Sequence, residues 1–508
     1  MPTINMRLSY AFILYFLFNT LNQSFGQEVN WSPVIESASV YPLGITNDRY
    51  FIYSNDGREG NILSYYLNHK LISKERVGYN FGGLEAIPSP FIETISGKYT
   101  VFTAYDRSNS KVILYAATFS DGKLGEPFKM HSHKLKTQLA MRGNVISAYS
   151  NKDNFQEIVI SEDKSKVAYM QFVTTKDGNK AEELSISVFD QDFKKLWSKT
   201  KSFPYADKNL LVEQMILTNE GNVLVSAKLK VIKGGLDNNT EMKLFSVLPD
   251  TDVEYDLQLR GKNFIVEFGL FSSVGNEIRL GGTYSNPDFA SRVLGVFYGT
   301  YDLMAKKLES NISPFTKTLL TGLVTDKAIA KGKGLKAGFG IISLHNFPDG
   351  STSFVAEYAN DVSIGNRTAP TPTVESSTYL FGNTIIPRFS KEGDLIKIEK
   401  IEKDFQDVSR LHGSIACAER DGELCLIFNS RKEKNERKEL GLKGLLSSST
   451  DMITIGKNGK KNENKIICSP RNTDYKTKFT IDGFMNYDDK FLLLGVKWNT
   501  YQIGIIEL

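Results

Sequence analysis

Polar and apolar positions alternate along residues 156–201 in four short runs divided by three polar turns. Residues 158–160 lead into a turn at 161–166. Residues 167–173 follow, with Val167, Tyr169 and Gln171 on one face and Ala168, Met170 and Phe172 on the other. A polar link at 174–182 carries Asp177-Gly178. Residues 184–189 then alternate Leu184, Ile186 and Val188 with their neighbours, and residues 194–199 close the unit around Leu196-Trp197. Alternation with period two, broken by a turn every 8–12 residues or so, predicts antiparallel strands. Four such strands in succession make one blade-like meander.

The same unit recurs along the chain. A polar turn before a strand appears at Asp48, Gly97, Ser165, Gly221, Gly275, Gly350, Gly422 and Asp489. The intervals run from about 50 to about 75 residues, the range of a propeller blade. A second hairpin follows each of these, as in 112–119 with its turn at Asp121-Gly122. The last unit is incomplete, because only 491–496 and 502–506 remain before Leu508. Asn30-Trp31-Ser32 resembles the outer-strand piece Leu196-Trp197-Ser198. Residues 29–34 are therefore expected to supply the missing outer strand, which would protect the sheet edges. The fold expected is an all-β propeller of four-stranded antiparallel blades, eight in number, with seven as the alternative. A membrane barrel fits poorly, since its strands run to about 10 residues with an apolar outer band. Two β-sandwiches would need a divide, and nothing like a Pro/Ser linker splits the chain.

Length agrees with a repeat. The chain has 508 residues, and a single core stops growing at roughly 250–300. Its 32 Phe and 23 Tyr favour strands. A net charge of +4 with acids and bases interleaved, as in 431–438, points away from nucleic acid. Near the start, Arg7 precedes an apolar run at 8–18, and Ser24-Phe25-Gly26 offers a cleavage site before Gln27. Residues 1–26 read as a signal peptide and 27–508 as one propeller domain, exported to the periplasm or cell surface. The apolar run is shorter than the roughly 20 residues a spanning helix needs. No other stretch is long enough to cross a bilayer as a helix. A monomer is expected.

Candidate chemistry adds little. Cys417 and Cys425 flank Asp421-Gly422. A two-residue loop there pairs Cys425 with Ala418 and sends the two thiols to opposite faces, whereas a three-residue loop would set them directly opposite; no disulfide is expected. Gly332-x-Gly334-x-x-Ala337 matches a dinucleotide fingerprint on paper, but a strand at 339–344 follows where a helix is required. His131 and His133 could share a strand face and hold a metal, although two exposed histidines in an inter-blade connection is the plainer reading. His69, His345 and His412 stand alone. Residues 55–61 carry oxygen ligands with the wrong spacing for calcium. Trp31, Trp197 and Trp498 are expected to pack between blades. No catalytic residue, metal ligand or cofactor is assigned, and the binding residues stay unassigned. The longest irregular insertions, 361–377 and 431–449, both follow the second strand of a unit and should emerge on one rim, where propellers place function.

The segments VFDQDFKKLWSKTKSFPYADK (188–208), LTNEGNVLVSAKL (217–229), NEIRLGGTYSNPDFASRVLGVFYGTYD (276–302), SLHNFPDGSTSFVAEYAN (343–360) and DVSRLHGSIACAERDGELCLIFNSRK (407–432) occur in that order. In these the chain resembles large exported β-repeat proteins of Gram-negative bacteria, uncharacterised in function. The resemblance spans roughly residues 156–432. It implies a propeller and export, and brings no catalytic motif. The expected function is a non-enzymatic binding or scaffold protein whose partner is a protein or an envelope component. The alternative is a propeller enzyme acting on a glycan or small molecule in the central funnel.

Overall fold

The eight turns found along the chain mark eight sheets arranged as a propeller in a computed structural model. It describes residues 30–507 apart from 38, 47, 56–59, 69, 80, 107, 135–155, 173–180, 207–208, 234–235, 275–276, 337, 364–376, 404, 408–414, 432–447, 469–475, 479–483, 488–489 and 498–499. Blade 1 is a meander of Ser39–Thr46, Arg49–Asn55, Asn61–Leu67 and Lys70–Arg76. Blade 3, the reference unit of the sequence, is Gln156–Ile160, Lys166–Phe172, Ala181–Asp190 and Lys195–Ala206. The order repeats in blade 4 (Leu210 to Asp256), blade 5 (Phe264 to Pro314), blade 6 (Phe339 to Ile401) and blade 7 (Ile415 to Cys468). In blade 2 the inner strand is split into Ala86–Pro88 and Ile92–Thr94. Gly97–Asp106, Lys111–Ser120 and Phe128–Lys134 complete it.

Burial follows from this stacking. A blade's two middle strands are covered on both faces by its neighbours, so they read as continuous apolar runs. Tyr50-Phe51-Ile52-Tyr53 is buried throughout, as is Phe491-Leu492-Leu493-Leu494. In blade 3, Val167 and Tyr169 pack against blade 2, and Ala168 and Met170 pack against blade 4. The outer strand Lys70–Arg76 is exposed along almost its whole length.

The ring closes as expected. Asn30 and Trp31 pair antiparallel with Ile505 and Gly504, and Ile35 and Glu36 pair with Tyr501 and Thr500. Between them, Ser32 N–H donates to the Ile503 carbonyl at 2.8 Å, and Ile503 N–H donates to Ser32 Oγ at 3.0 Å. Blade 8 thus takes its outer strand from the N-terminal side of the chain. Its inner pieces are Lys476–Lys478 and Phe484–Tyr487, its middle strands Lys490–Lys497 and Thr500–Glu507.

One local expectation needs correction. Residues 128–134 form an outer strand with one bulge, so His131 and His133 lie half-buried on a strand face and not in an exposed connection. The link between blades 5 and 6 also holds two short helices, Lys317–Leu320 and Asp326–Ala330. Thr316 and Thr325 cap them, each accepting a backbone N–H three residues on, a local signal present in the sequence.

Candidate functional site

The inner strands of blades 3 to 6 converge on a cavity of about 440 Å³. Ile158, Ile160, Met215, Ile216 and Phe271 give it apolar walls, and Glu162, Asn219 and Asn346 stand at its border. The border residues sit at or near the turns that end the inner strands, so the cavity opens at one end of those strands. Its volume lies in the lower part of the range for small-ligand pockets, about 300–1,000 Å³.

Neighbouring blades hold this mouth in shape. The blade 3 turn is tied by Asp163, whose carboxylate accepts from Ser161 Oγ at 2.7 Å and from Ser165 N–H at 3.0 Å. Those bonds hold the Asp163 carboxyl below its usual range, the Ser161 hydroxyl first among them. Asp163 N–H then donates to Asn219 Oδ1 at 3.1 Å, and Lys166 Nζ donates to the Asn219 carbonyl. Trp197 Nε1 donates to the Gly221 carbonyl at 3.1 Å in that same blade 4 turn. Gly221 has φ +93, a left-handed conformation that glycine adopts without strain. On the far side, Gln214 exchanges two bonds with the Leu270 backbone at 3.2 and 2.9 Å, and Asn346 Nδ2 donates to the Phe271 carbonyl at 3.1 Å.

A second polar group lies between blades 6 and 7. Lys403 Nζ meets Glu357 Oε1 at 2.5 Å, with both side chains buried. Lys403 also lies over the Phe381 and Phe428 rings at 5.3 and 5.7 Å. On the adjoining inner strand of blade 6, His345 Nε2 and Ser343 Oγ are 3.0 Å apart. Burial pushes the Cys417 thiol up to about 12 and lowers His345 to about 4. At neutral pH the histidine is therefore neutral and the cysteine is a thiol, not a thiolate nucleophile. Across blades 4 and 5, Lys228 pairs with Glu267, and burial raises the Glu267 carboxyl above its usual range.

Apart from Trp197, His345 and Cys417, none of these side chains was singled out in the sequence. The cavity residues come from four separate blades and share no spacing. Glu357 did leave a trace: it is a charged residue in the middle of the strand Thr352–Ser363, on the face of Ser353 and Val355, and such residues are rarely buried unless paired.

The residues that the sequence did single out are scattered. His131 and His133 stack at 5.7 Å between ring centroids and face blade 3, where His131 Nε2 lies 3.2 Å from Ser187 Oγ. Gly334 belongs to a close approach, since a Cβ there would come within 1.8 Å of the Val293 carbonyl oxygen, and a helix precedes it. Ala337 lies outside the described residues, as do His69, His412, Trp498 and most of both long insertions. Trp31 and Trp197 pack between blades. Cys425 pairs with Ala418 and Cys417 with Leu426, on opposite faces, and neither is in a disulfide. Asn55 Nδ2 donates to Asn61 Oδ1 at 3.0 Å across the stretch 55–61 that carries oxygen ligands. Among the described residues no group of three His, Cys, Asp or Glu side chains could hold a metal ion. No described helix is long and apolar enough to cross a membrane.

No protein-family model matches the chain, and no curated protein matches it. Solved propellers are similar to it in fold. The propeller of Dos1 aligns over 94% of this chain and 95% of its own, at 9% identity and a TM-score of 0.43. The propeller domain of the trilobed protease from Pyrococcus furiosus, described as having an open velcro topology, covers 87% of this chain and 96% of its own (10% identity, TM-score 0.36). The polysaccharide lyase Uly1 covers 93% and 90% (9% identity, TM-score 0.37). A prolyl endopeptidase aligns over 90% of this chain at 9% identity and a TM-score of 0.40, and the chain spans only 54% of that enzyme's length.

Proposed function

We propose that this propeller is an exported, non-enzymatic binding protein of the periplasm or cell surface, and that its ligand enters the channel mouth between blades 3 and 6. The carrying observation is the apolar cavity of about 440 Å³ where four inner strands meet. Apolar walls with a few polar groups at the border are the usual make-up of a ligand pocket. The leader-like residues 1–26 and the resemblance to exported repeat proteins support the location. The test uses the neutral apolar dye N-phenylnaphthylamine as probe. One saturable site is expected on the full chain, lost in Ile216→Arg and in Asn346→Trp, each of which fills the mouth. Leu196→Arg, on the exposed outer strand of blade 3, should leave it intact. Absence of saturable binding, or binding untouched by both mouth variants, would overturn the reading.

One observation favours the alternative, an enzyme acting on a glycan or small molecule. Glu267 lies on the inner strand of blade 5 with its carboxyl raised, a state suited to a general acid. Under that reading Glu267→Gln abolishes turnover in glycan and metabolite screens while leaving dye binding unchanged.

A further inference from the structure

Two of the three polar side chains bordering the cavity are each engaged at one end. Asn219 accepts the Asp163 N–H through Oδ1, which leaves the two N–H donors of Nδ2 and one lone pair of Oδ1. Asn346 donates through Nδ2 to the Phe271 carbonyl, which leaves the acceptor Oδ1 and the second N–H of Nδ2. Glu162 is exposed and adds a carboxylate. The border therefore offers two amides, each still able to donate and to accept, and one negative charge above walls of Ile158, Ile160, Ile216 and Phe271.

A peptide unit presents the complement, one carbonyl and one N–H, and a chain's α-ammonium supplies the positive charge. Resting on the channel-mouth reading, we propose that the ligand is the free N-terminal end of an apolar peptide. Its first side chains fill the cavity, its leading peptide unit bonds Asn219 and Asn346, and its ammonium faces Glu162. Other ligand classes match less well. A sugar would press hydroxyls against isoleucine side chains and leave them without partners. A fatty acid would fill the cavity but set its carboxylate against Glu162.

The test adds peptide to the dye-loaded full chain. A pentapeptide beginning with leucine and isoleucine is used with its amine free and again N-acetylated. The free peptide should displace N-phenylnaphthylamine, and acetylation should weaken it about two- to fivefold, the range for an exposed ion pair. Glu162→Gln should erase the difference between the two forms. Asn346→Leu should weaken both by about two- to tenfold, the range for one hydrogen bond. If the dye binds but the peptide does not displace it, the peptide assignment is wrong and the channel site stands. If acetylation changes nothing, the ammonium contact with Glu162 is wrong. If neither probe binds, the channel reading fails with it.

Discussion

Lys403 and Glu357 form an ion pair at 2.5 Å with side-chain exposures of 0% and 2%. Glu357 sits on the second strand of blade 6 and Lys403 follows that blade's outer strand, so the pair fastens the exit of blade 6 near blade 7. Burial pushes the Glu357 carboxyl up and the Lys403 ammonium down, each shift opposed by the partner's charge. Removing one partner strands the other charge in a dry seam. Lys403→Met should cost about 3–5 kcal/mol. The double variant Glu357→Leu/Lys403→Met should recover much of that, because two apolar side chains replace the pair. Urea melts of the three proteins check it, and a double variant no better than the single one would be the contrary result.

Arg388 makes a comparable tie nearer the turns. Its side chain is 3% exposed. It donates to the Gly422 and Gly456 carbonyls of blade 7 at 2.9 and 3.3 Å, and to Ser351 Oγ at 2.9 and 3.2 Å. Its guanidinium also stacks 4.0 Å over the Phe347 ring. Arg388→Lys keeps the charge but not the planar fork. Both Arg388→Lys and Arg388→Ala should lower stability by about 2–4 kcal/mol, since each leaves buried carbonyls unpaired. Thermal melts measure it, and a lysine variant melting with the wild type would refute the fork's role.

Closure of the ring through Ser32 can be tested by deletion. Without residues 30–36, the strand Thr500–Glu507 loses its outer partner and becomes an open edge, prone to pairing with other chains. The truncated protein should exchange amide hydrogens faster in blade 8 and associate on gentle heating. Unchanged exchange across 500–507 would show that the N-terminal strand is dispensable.

The His131–His133 stack makes the blade 2–blade 3 seam sensitive to acid. Burial lowers both rings to about 4, helped at His131 by Lys195 and Lys129 and at His133 by His131 itself. Folded pKa values below the unfolded value of about 6.5 mean that the folded state binds fewer protons. The pair's stabilising contribution is thus fully present above about pH 6.5 and is lost as pH falls from there toward about 4. Melting temperatures should drop over that window, and less steeply in His131→Gln/His133→Leu. Parallel curves for the two proteins would remove the histidines from the account.

Much of the architecture was legible because each propeller strand interacts first with its neighbours in sequence. The Asp421-Gly422 turn, with φ of 51 and 78, closes a two-residue hairpin that places Cys425 opposite Ala418 by local geometry alone. The last unit's missing strand and the Trp31 motif pointed to each other for the same reason, since a blade with an open edge needs a partner. His131 and His133 were misplaced because a strand of Lys, His and Ser reads as a loop until a second blade is known to cover it.

The sequence by itself determined the repeat and its closure and favoured eight blades over seven, because turn chemistry and period-two alternation act over a few residues. Only the tertiary structure decided which side chains meet. Ile158, Ile216, Phe271 and Asn346 come from four blades and border one cavity. Glu357 and Lys403 lie on either side of a long insertion and pair in a dry seam. Such contacts depend on how blades pack around the axis, and no local spacing along the chain encodes that distance.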